Sequence, residues 1–178
     1  MTPFTRLLIS LWLAGIGIAA AESDTLGPMG AEQSYNFRRV GDHITTSGVV
    51  GAENLRAMGK QGYDVVINLL PDDSQYAVAD EADILAAQGI RYVYIPVDFS
   101  RPDVSDYEAF ARAMKESEGK QVHVHCAANF RVSAFYSLYA VREGHWSQDD
   151  ADALLDSLWS PDENPGWPEF IEAVRRLD

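Results

Sequence analysis

Short apolar runs alternate with runs typical of helices along most of the chain. The apolar runs are rich in β-branched residues, which favour strands, and they cover residues 43–46, 63–70, 91–97 and 121–125. The runs with helical character cover residues 52–61, 78–88, 105–118, 131–143, 147–159 and 168–177. This order predicts βαβ units. We therefore expect an α/β fold with a mostly parallel central sheet flanked by helices and a helical C-terminal cap.

Start and stop signals mark several of these helices. Gly62, Gly89 and Gly119 each follow a helical run, where glycine commonly ends a helix. The stretch from Ser105 to Glu108 is typical of a capping box, and the stretch that begins at Ser147 is typical of a second helix cap. These signals predict where the third and fifth helices begin.

The first 21 residues have the three-part order of a secretory signal peptide. Arg6 supplies a positive charge, an apolar run covers residues 7–20, and small residues occupy 19–21. The alternative is a membrane anchor that is retained. The apolar run of about 14 residues is shorter than the roughly 20 that cross a bilayer. We therefore expect cleavage after Ala21.

The remaining length fits one domain. The chain has 178 residues and an ordinary hydrophobic fraction of 47%, so it can build a core without metal or disulfide support. We expect a flexible lead-in over residues 22–36 and a single domain over residues 37–178. With the signal peptide removed, the protein is predicted to be periplasmic or secreted, without stable membrane insertion.

Charge and cysteine content narrow the function classes. The formal net charge is −13, which argues against nucleic acid as a partner because such binding needs a basic surface. A small phosphorylated substrate remains possible, since one local positive site can oppose the overall field. The chain has a single cysteine, Cys126, and therefore no internal disulfide. Its thiol is either buried and inert or chemically active.

The segment from Val122 to Ser133 combines a strand, a tight loop and the start of a helix. Cys126 ends the strand and Arg131 begins the helix. The backbone N–H groups of the four residues between them can form an anion cradle at the positive end of that helix. These four residues are Ala127, Ala128, Asn129 and Phe130. There we expect Cys126 to ionise to a thiolate and Arg131 to hold two phosphate oxygens. Phosphoryl transfer needs these parts.

This segment resembles the signature of cysteine-dependent protein tyrosine and dual-specificity phosphatases. The chain is similar to the bacterial tyrosine-phosphatase-like family, which includes the phosphatase-like domain fused to β-lactamase-hydrolase-like proteins. Three other stretches share the resemblance: residues 44–55, 62–69 and 89–97. It extends over residues 43–140 and more loosely to Phe170. It implies a cysteine-phosphatase-like fold. It also implies an enzyme that hydrolyses phosphate monoesters through a phosphocysteine intermediate. It implies a phosphorylated substrate and neither metal nor organic cofactor.

The same resemblance suggests roles for four further residues. Asp98 lies where dual-specificity enzymes carry a general acid on a mobile loop, and Asp103 is the alternative acid; either carboxylate is otherwise a solvated loop residue. His125 is implied to orient the loop and to help hold the thiolate, or it is a satisfied core histidine. Ser133 either hydrogen-bonds Cys126 and assists phosphocysteine breakdown, or serves only the helix backbone.

Two features depart from the superfamily pattern. Four residues separate Cys126 from Arg131 where the superfamily has five, a spacing that some bacterial relatives share. Asn129 stands at a loop position where glycine is usual. Asparagine tolerates a left-handed backbone better than other non-glycine residues, so we expect the turn to be kept.

Other candidate groups are assigned to packing. His123 and His145 have no acid or cysteine at the spacing of metal ligands, so no zinc site is predicted. The tryptophans and one phenylalanine near the C-terminus are expected to pack in the core rather than form a binding platform. They are Trp146, Trp159, Trp167 and Phe170.

Two other functions remain open. Rhodanese-like sulfurtransferases also carry a cysteine on an anion-binding loop between a strand and a helix. A catalytically weak phosphatase that only binds a phosphorylated ligand is the second alternative, and the shortened Cys126–Arg131 spacing favours it. For a phosphatase, the candidate substrates are phosphotyrosine proteins, the targets of dual-specificity enzymes, and small phosphate esters.

Overall fold

The computed structural model describes residues 30–177. The predicted signal peptide, residues 1–21, and the first part of the lead-in, residues 22–29, lie outside the described residues. The remaining part of the lead-in contains a short 3-10 turn, Ala31–Gln33. It is tied to the domain by hydrogen bonds from the N–H groups of Gly30 and Ala31 to side-chain oxygens of Asn54 and Gln61.

A five-stranded sheet forms the centre of the described part of the chain. Its strands are β1 (Arg38–Arg39), β2 (Ile44–Ser47), β3 (Val65–Asn68), β4 (Arg91–Tyr94) and β5 (Val122–His125). Their order in space is β1-β2-β5-β3-β4. The pairs β2–β5, β5–β3 and β3–β4 are parallel, and only the edge strand β1 is antiparallel to its neighbour. The sheet confirms the predicted α/β architecture and adds an edge strand that the pattern did not indicate.

Within residues 30–177, six α-helices surround this sheet. They are α1 (Ala52–Ala57), α2 (Glu81–Ala86), α3 (Val104–Glu116), α4 (Phe130–Arg142), α5 (Gln148–Asp156) and α6 (Trp167–Arg175). Helices α1 and α2 pack together on one face, and α3, α4 and α6 pack on the other, with α5 against α4. The predicted C-terminal helices are therefore present.

Alternating side chains of the central strands supply both cores. On β3, Val65 and Ile67 join the larger core with α3, α4 and α6, while Val66 joins the smaller core under α1 and α2. All four residues of β5 are also buried. A strand that is covered on both faces carries apolar side chains, or polar side chains whose hydrogen bonds are made within the protein, as in other parallel sheets. The core therefore fixes β5, and with it the position of the residue that follows, Cys126.

One predicted helix start is wrong. The N-cap of α3 is Asp103, whose carboxylate accepts a hydrogen bond from the N–H of Ser105. Ser105 is thus inside the helix and does not begin it. Both residues suit a cap, and the aspartate two positions earlier takes the role because its side chain reaches the free N–H groups of the first turn. The second predicted cap is confirmed, because Ser147 and Asp150 form a reciprocal capping box at α5.

Candidate active site

Cys126 lies at the carboxyl end of β5, in the middle of the sheet. Its N–H donates to the carbonyl of Ser47 at 3.2 Å, and the carbonyl of His125 accepts from the N–H of Leu69 at 2.9 Å. The strand end is thus held from both neighbouring strands, β2 and β3. The side chain of Cys126 is fully buried within the larger core. In open parallel sheets, ligands bind at this edge, beyond the carboxyl ends of the strands.

The loop after Cys126 is attached through its carbonyl groups to the residues just after β2 and to the lead-in. The N–H of Val49 donates to the carbonyl of Ala127 at 3.0 Å, and Nδ2 of Asn36 donates to the carbonyl of Ala128 at 3.1 Å. In a trans peptide the C=O and the following N–H point in opposite directions. The N–H of Ala128 therefore points away from β2, as an anion cradle requires.

Asn129 is the N-cap of α4 and has a left-handed backbone, with φ 68° and ψ 7°. This confirms the expectation that asparagine preserves the turn where the superfamily has glycine. Its side chain also contributes contacts that glycine lacks, because Nδ2 donates to the carbonyl of Asn36 at 2.8 Å and to Oγ1 of Thr46 at 3.0 Å. Asn129 therefore attaches the loop to β2.

Gly48 lies directly against the loop. A Cβ at this position would lie 2.6 Å from the carbonyl oxygen of Ala127 and 3.0 Å from the Cα of Ala128. Both contacts are to backbone, so a side chain at residue 48 would displace the loop. The absence of a side chain at Gly48 allows the loop and the end of β2 to meet backbone to backbone.

Arg131 lies in the first turn of α4 and reaches across to the loop after β4. Its Nε donates to the carbonyl of Val97 at 2.9 Å, and its guanidinium carbon lies 5.1 Å from the centre of the Phe99 ring. Within residues 30–177, the two terminal nitrogens of Arg131 have no hydrogen-bonding or ionic partner. They form a free fork that matches two oxygens of a phosphate. The N–H groups of the first helical turn also lack intrahelical acceptors.

Phe130 and Ser133 face the C-terminal part of the chain. The Phe130 ring stacks on Trp159 at 5.2 Å with an interplanar angle of 8°. The Ser133 hydroxyl donates to the carbonyl of Phe130 at 2.9 Å and accepts from Nε1 of Trp159 at 3.0 Å. Of the two roles considered for Ser133, these contacts match the one toward the helix backbone. Trp159, Trp167 and Phe170 are buried, as expected for packing residues.

Asp98 follows the predicted second core strand and is exposed. Its Oδ1 accepts from the hydroxyl of Ser100 at 2.7 Å and from the N–H of Ser100 at 2.9 Å. These two hydrogen bonds lower the pKa of Asp98 below its ordinary value, since they stabilise the carboxylate. The carboxylate form is therefore favoured while Ser100 makes these two bonds. The adjacent carbonyl of Val97 receives the bond from Arg131, which brings the Asp98 loop to the Cys126 loop.

Asp103, the alternative acid, caps α3. Its Oδ1 accepts from the hydroxyl of Ser105 at 2.6 Å and from the N–H of Ser105 at 2.8 Å. The same two bonds lower the pKa of Asp103. The geometry accounts for this carboxylate as a helix cap.

Glu81, the first residue of α2, is the site residue that the sequence analysis missed. It is buried, and its two carboxylate oxygens accept separate hydrogen bonds. Oε1 accepts from Nε2 of His125 at 2.6 Å, and Oε2 accepts from Nδ2 of Asn68 at 3.0 Å. Asn68 also bonds the hydroxyl of Tyr92 and accepts from the N–H of Leu70. A buried polar network therefore lies beneath the Cys126 loop, and it fixes the His125 ring.

His123, two residues earlier on the same face of β5, has a different environment. Its Nδ1 lies 2.9 Å from Oγ1 of Thr45, and its Nε2 lies 3.0 Å from Oγ of Ser47. Burial, with a smaller contribution from His125, lowers the pKa of His123 well below its ordinary value. The Ser47 hydroxyl donates to the carbonyl of Gly48, so a neutral His123 with its proton on Nε2 satisfies this chain of bonds.

Residues 30–177 contain neither a metal-binding cluster nor a membrane-spanning helix. That range contains no group of three or more His, Cys, Asp or Glu residues placed to hold a metal ion. None of its helices combines the length and apolar character needed to cross a bilayer.

Comparisons with known proteins agree with this geometry. A family model described as the phosphatase-like domain of beta-lactamase hydrolase-like proteins matches residues 36–142. The beta-lactamase hydrolase-like protein of Xylella fastidiosa (strain Temecula1 / ATCC 700964) is 30% identical over 118 residues, which are 65% of this chain. The corresponding protein of Agrobacterium fabrum is 27% identical over 117 residues. The matched region spans 27% of the length of each of these curated relatives.

Solved structures give the same answer for the fold. A putative phosphatase (DUF442) from Shewanella putrefaciens CN-32 is 35% identical, covers 80% of this chain and 90% of its own, and superposes with a TM-score of 0.72. The structure of P. aeruginosa TpbA has a TM-score of 0.61 at 17% identity, covering 78% of this chain and 84% of its own. The fold is thus that of the cysteine-based protein tyrosine phosphatases, and family and fold together support a phosphatase-like function. The chain belongs to the family of phosphatase-like domains found in beta-lactamase hydrolase-like proteins.

Proposed function

We propose that this protein is an exported phosphatase that hydrolyses phosphate monoesters through a phosphocysteine intermediate. The observation that carries the proposal is the arrangement after β5. A single loop connects Cys126 to the first turn of α4, where the terminal nitrogens of Arg131 have no hydrogen-bonding or ionic partner among the described residues. The export part of the proposal rests on the sequence of residues 1–21 alone.

The mechanism has two steps. The Cys126 thiolate attacks phosphorus while Arg131 and the loop N–H groups hold the non-bridging oxygens, and the bond to the leaving oxygen breaks. Asp98 gives its proton to that oxygen, so an alcohol or phenol departs. Asp98, now a carboxylate, takes a proton from water, which attacks the phosphocysteine and releases phosphate and the thiolate. The two hydrogen bonds from Ser100 stabilise the carboxylate form that this second step uses.

A ligand-binding protein without turnover is the second candidate, and one observation favours it. Cys126 has 0% exposure, while Arg131 at the other end of the loop is only half-buried. An anion could therefore reach Arg131 without reaching the thiol. Sulfur transfer through Cys126 remains the third candidate, on the position of the cysteine in its loop alone.

The deciding experiment uses the purified protein without residues 1–21. We expect hydrolysis of p-nitrophenyl phosphate in the presence of a chelator, inhibition by vanadate, and complete loss in Cys126→Ser, because a serine hydroxyl is not ionised near neutral pH. Transfer of sulfur from thiosulfate to cyanide through Cys126, without phosphatase activity, would favour the rhodanese-like alternative. Phosphate binding that depends on Arg131, with neither reaction, would favour the binding protein.

Export is tested separately. N-terminal sequencing of protein recovered from outside the cytoplasm should give Glu22 as the first residue, because the small residues 19–21 form the predicted cleavage site. An intact N-terminus in the membrane fraction would contradict this part of the proposal and leave the phosphatase part unaffected.

A further inference from the structure

A segment beyond the family match packs against both active-site loops. The family model ends at residue 142, whereas the segment over residues 159–167 follows α5 and ends at the first residue of α6. Its two tryptophans meet edge to face at 5.0 Å. Phe99, from the loop after β4, lies 5.6 Å from Trp159 and 5.4 Å from Trp167. We call the four rings Phe99, Phe130, Trp159 and Trp167 the aromatic cluster.

Each tryptophan of this cluster makes one hydrogen bond, Trp167 to the loop after β4 and Trp159 to the first turn of α4. Nε1 of Trp167 donates to the carbonyl of Phe99 at 2.9 Å, in the loop that carries the proposed acid. Nε1 of Trp159 donates to the hydroxyl of Ser133 at 3.0 Å, in the first turn of α4. A buried indole N–H requires an acceptor. These two bonds therefore fix the orientation of each indole ring more closely than packing alone would.

The backbone is held at the residues on either side of Asp98. The carbonyl before it, of Val97, accepts from Nε of Arg131, and the carbonyl after it, of Phe99, accepts from Nε1 of Trp167. Gly166 also lies close to this loop, since a Cβ there would be 3.4 Å from the carbonyl of Ser100. The backbone around Asp98 is therefore fixed between α4 and the C-terminal segment, while its side chain stays exposed and is held by the two hydrogen bonds from Ser100.

We propose that Trp167 and Trp159 are positioning residues of the active site, Trp167 for the Asp98 loop and Trp159 for the start of α4. This inference rests on the proposed phosphatase function for its effect on turnover, but the anchoring itself does not. Trp167 keeps the Asp98 backbone at a fixed place relative to Arg131, so the acid reaches the leaving group by rotation of its side chain. Trp159 holds the Ser133 hydroxyl by a hydrogen bond and the Phe130 ring by stacking. It thereby holds in place the first turn of α4, which presents Arg131.

The test of Trp167 combines hydrogen exchange with a comparison of leaving groups. Trp167→Phe keeps an aromatic ring and removes the N–H. We expect the amides of Ser100 and Arg101, both bonded to Asp98, to exchange several-fold faster. We expect kcat on an alkyl phosphate to fall about 3- to 10-fold, as for one lost hydrogen bond. KM, and kcat on p-nitrophenyl phosphate, should stay within about twofold, because nitrophenolate needs little protonation.

Trp159→Phe and Trp146→Phe complete the design. Trp159→Phe should weaken vanadate binding a few-fold, because Trp159 acts through Ser133 at the start of α4. Amide exchange at Ser100 and Arg101 should stay unchanged in this variant. Trp146 packs edge to face on Tyr136, outside the aromatic cluster, and Trp146→Phe should change none of these readouts.

The outcomes separate the two proposals. If the wild type hydrolyses no phosphate ester, the proposed function fails, while exchange at Ser100 still reports whether Trp167 holds the loop. Unchanged exchange in Trp167→Phe overturns the anchoring. Equal losses on both substrates, accompanied by a lower melting temperature, would show a role in general stability and would overturn the positioning role.

Discussion

Two loops leave the same edge of the sheet, one over residues 126–131 after β5 and one over residues 95–103 after β4. The first is attached on several sides: to Val49 through the carbonyl of Ala127, to the lead-in through Asn36, and to Thr46 of β2 through Asn129. The second is mostly exposed, and its acid bonds its own neighbour. Groups that stabilise developing charge work best when already oriented, whereas a group that gives and takes a proton must move between partners.

Asp98→Asn is the strongest test of the difference between the two loops. With an alkyl phosphate we expect kcat to fall by about 10²–10⁴, the usual contribution of a general acid. With p-nitrophenyl phosphate the loss should be much smaller. Steady-state kinetics on both substrates measure the ratio.

Asp103→Asn is the matched control in the same loop. Asparagine is as good an N-cap as aspartate, so the helix α3 should stay folded and the rates should not change. If Asp103→Asn loses activity on the alkyl phosphate and Asp98→Asn does not, then Asp103 is the general acid and Asp98 is not.

Arg131→Ala changes both loops at once, because this side chain bonds Val97 and holds the proposed oxyanion. We expect kcat/KM to fall by about 10²–10³ on every phosphate ester, whatever the leaving group. Arg131→Lys should restore little, since an ammonium lacks the planar fork. A loss that appears only with poor leaving groups would show that Arg131 acts through the Asp98 loop alone.

Glu81→Gln tests the support beneath the first loop. Both carboxylate oxygens accept hydrogen bonds, from His125 and from Asn68, and an amide can offer only one acceptor. A tautomer change of His125 does not help, because its Nδ1 is buried without a partner among the described residues. We expect the free energy of unfolding to fall by about 1–3 kcal/mol, measured by urea denaturation.

Glu116→Gln is the control for that change. The Glu116 carboxylate pairs with Arg91 at the surface, where a single ion pair contributes about 0–1 kcal/mol. Equal effects of the two substitutions would mean that the buried network adds nothing to stability.

Ser100→Ala should have the smallest effect of these substitutions. It tests only the pKa of Asp98. The Ser100 hydroxyl is the largest cause of the lowered pKa of Asp98, so its removal should raise that pKa toward the ordinary value. Protonated Asp98 is needed in the first step, and this form is lost as pH rises through its pKa. The decline of kcat/KM on an alkyl phosphate should therefore move to higher pH. A pH profile that does not move would show that Asp98 leaves Ser100 before it acts.

The sequence predicts the first loop better than the second. Cys126, Arg131 and the turn at Asn129 lie within six residues, so local pattern carries their relation. The core strands β3 and β5 were predicted to within two residues of each end, because continuous β-branched runs have few alternative structures.

The features that escaped prediction depend on distant contacts. Glu81 resembles any acid in the first turn of a surface helix, and only its position under β5 shows that it is buried. The edge strand Arg38–Arg39 is two charged residues long and has no periodicity to detect. The hydrogen bond from Trp167 to Phe99 joins residues that no local signal relates.

The central place of β5 has a consequence for how the chain acquires its structure during synthesis. The strands β2 and β3 do not pair with each other, because β5, made last, inserts between them. Until the ribosome has passed residue 125, both strands have open edges, which are prone to intermolecular pairing. Such non-local pairing slows folding. We expect a nascent chain that stops before β5 to stay unfolded and to depend on chaperones, a state compatible with passage through a translocation channel.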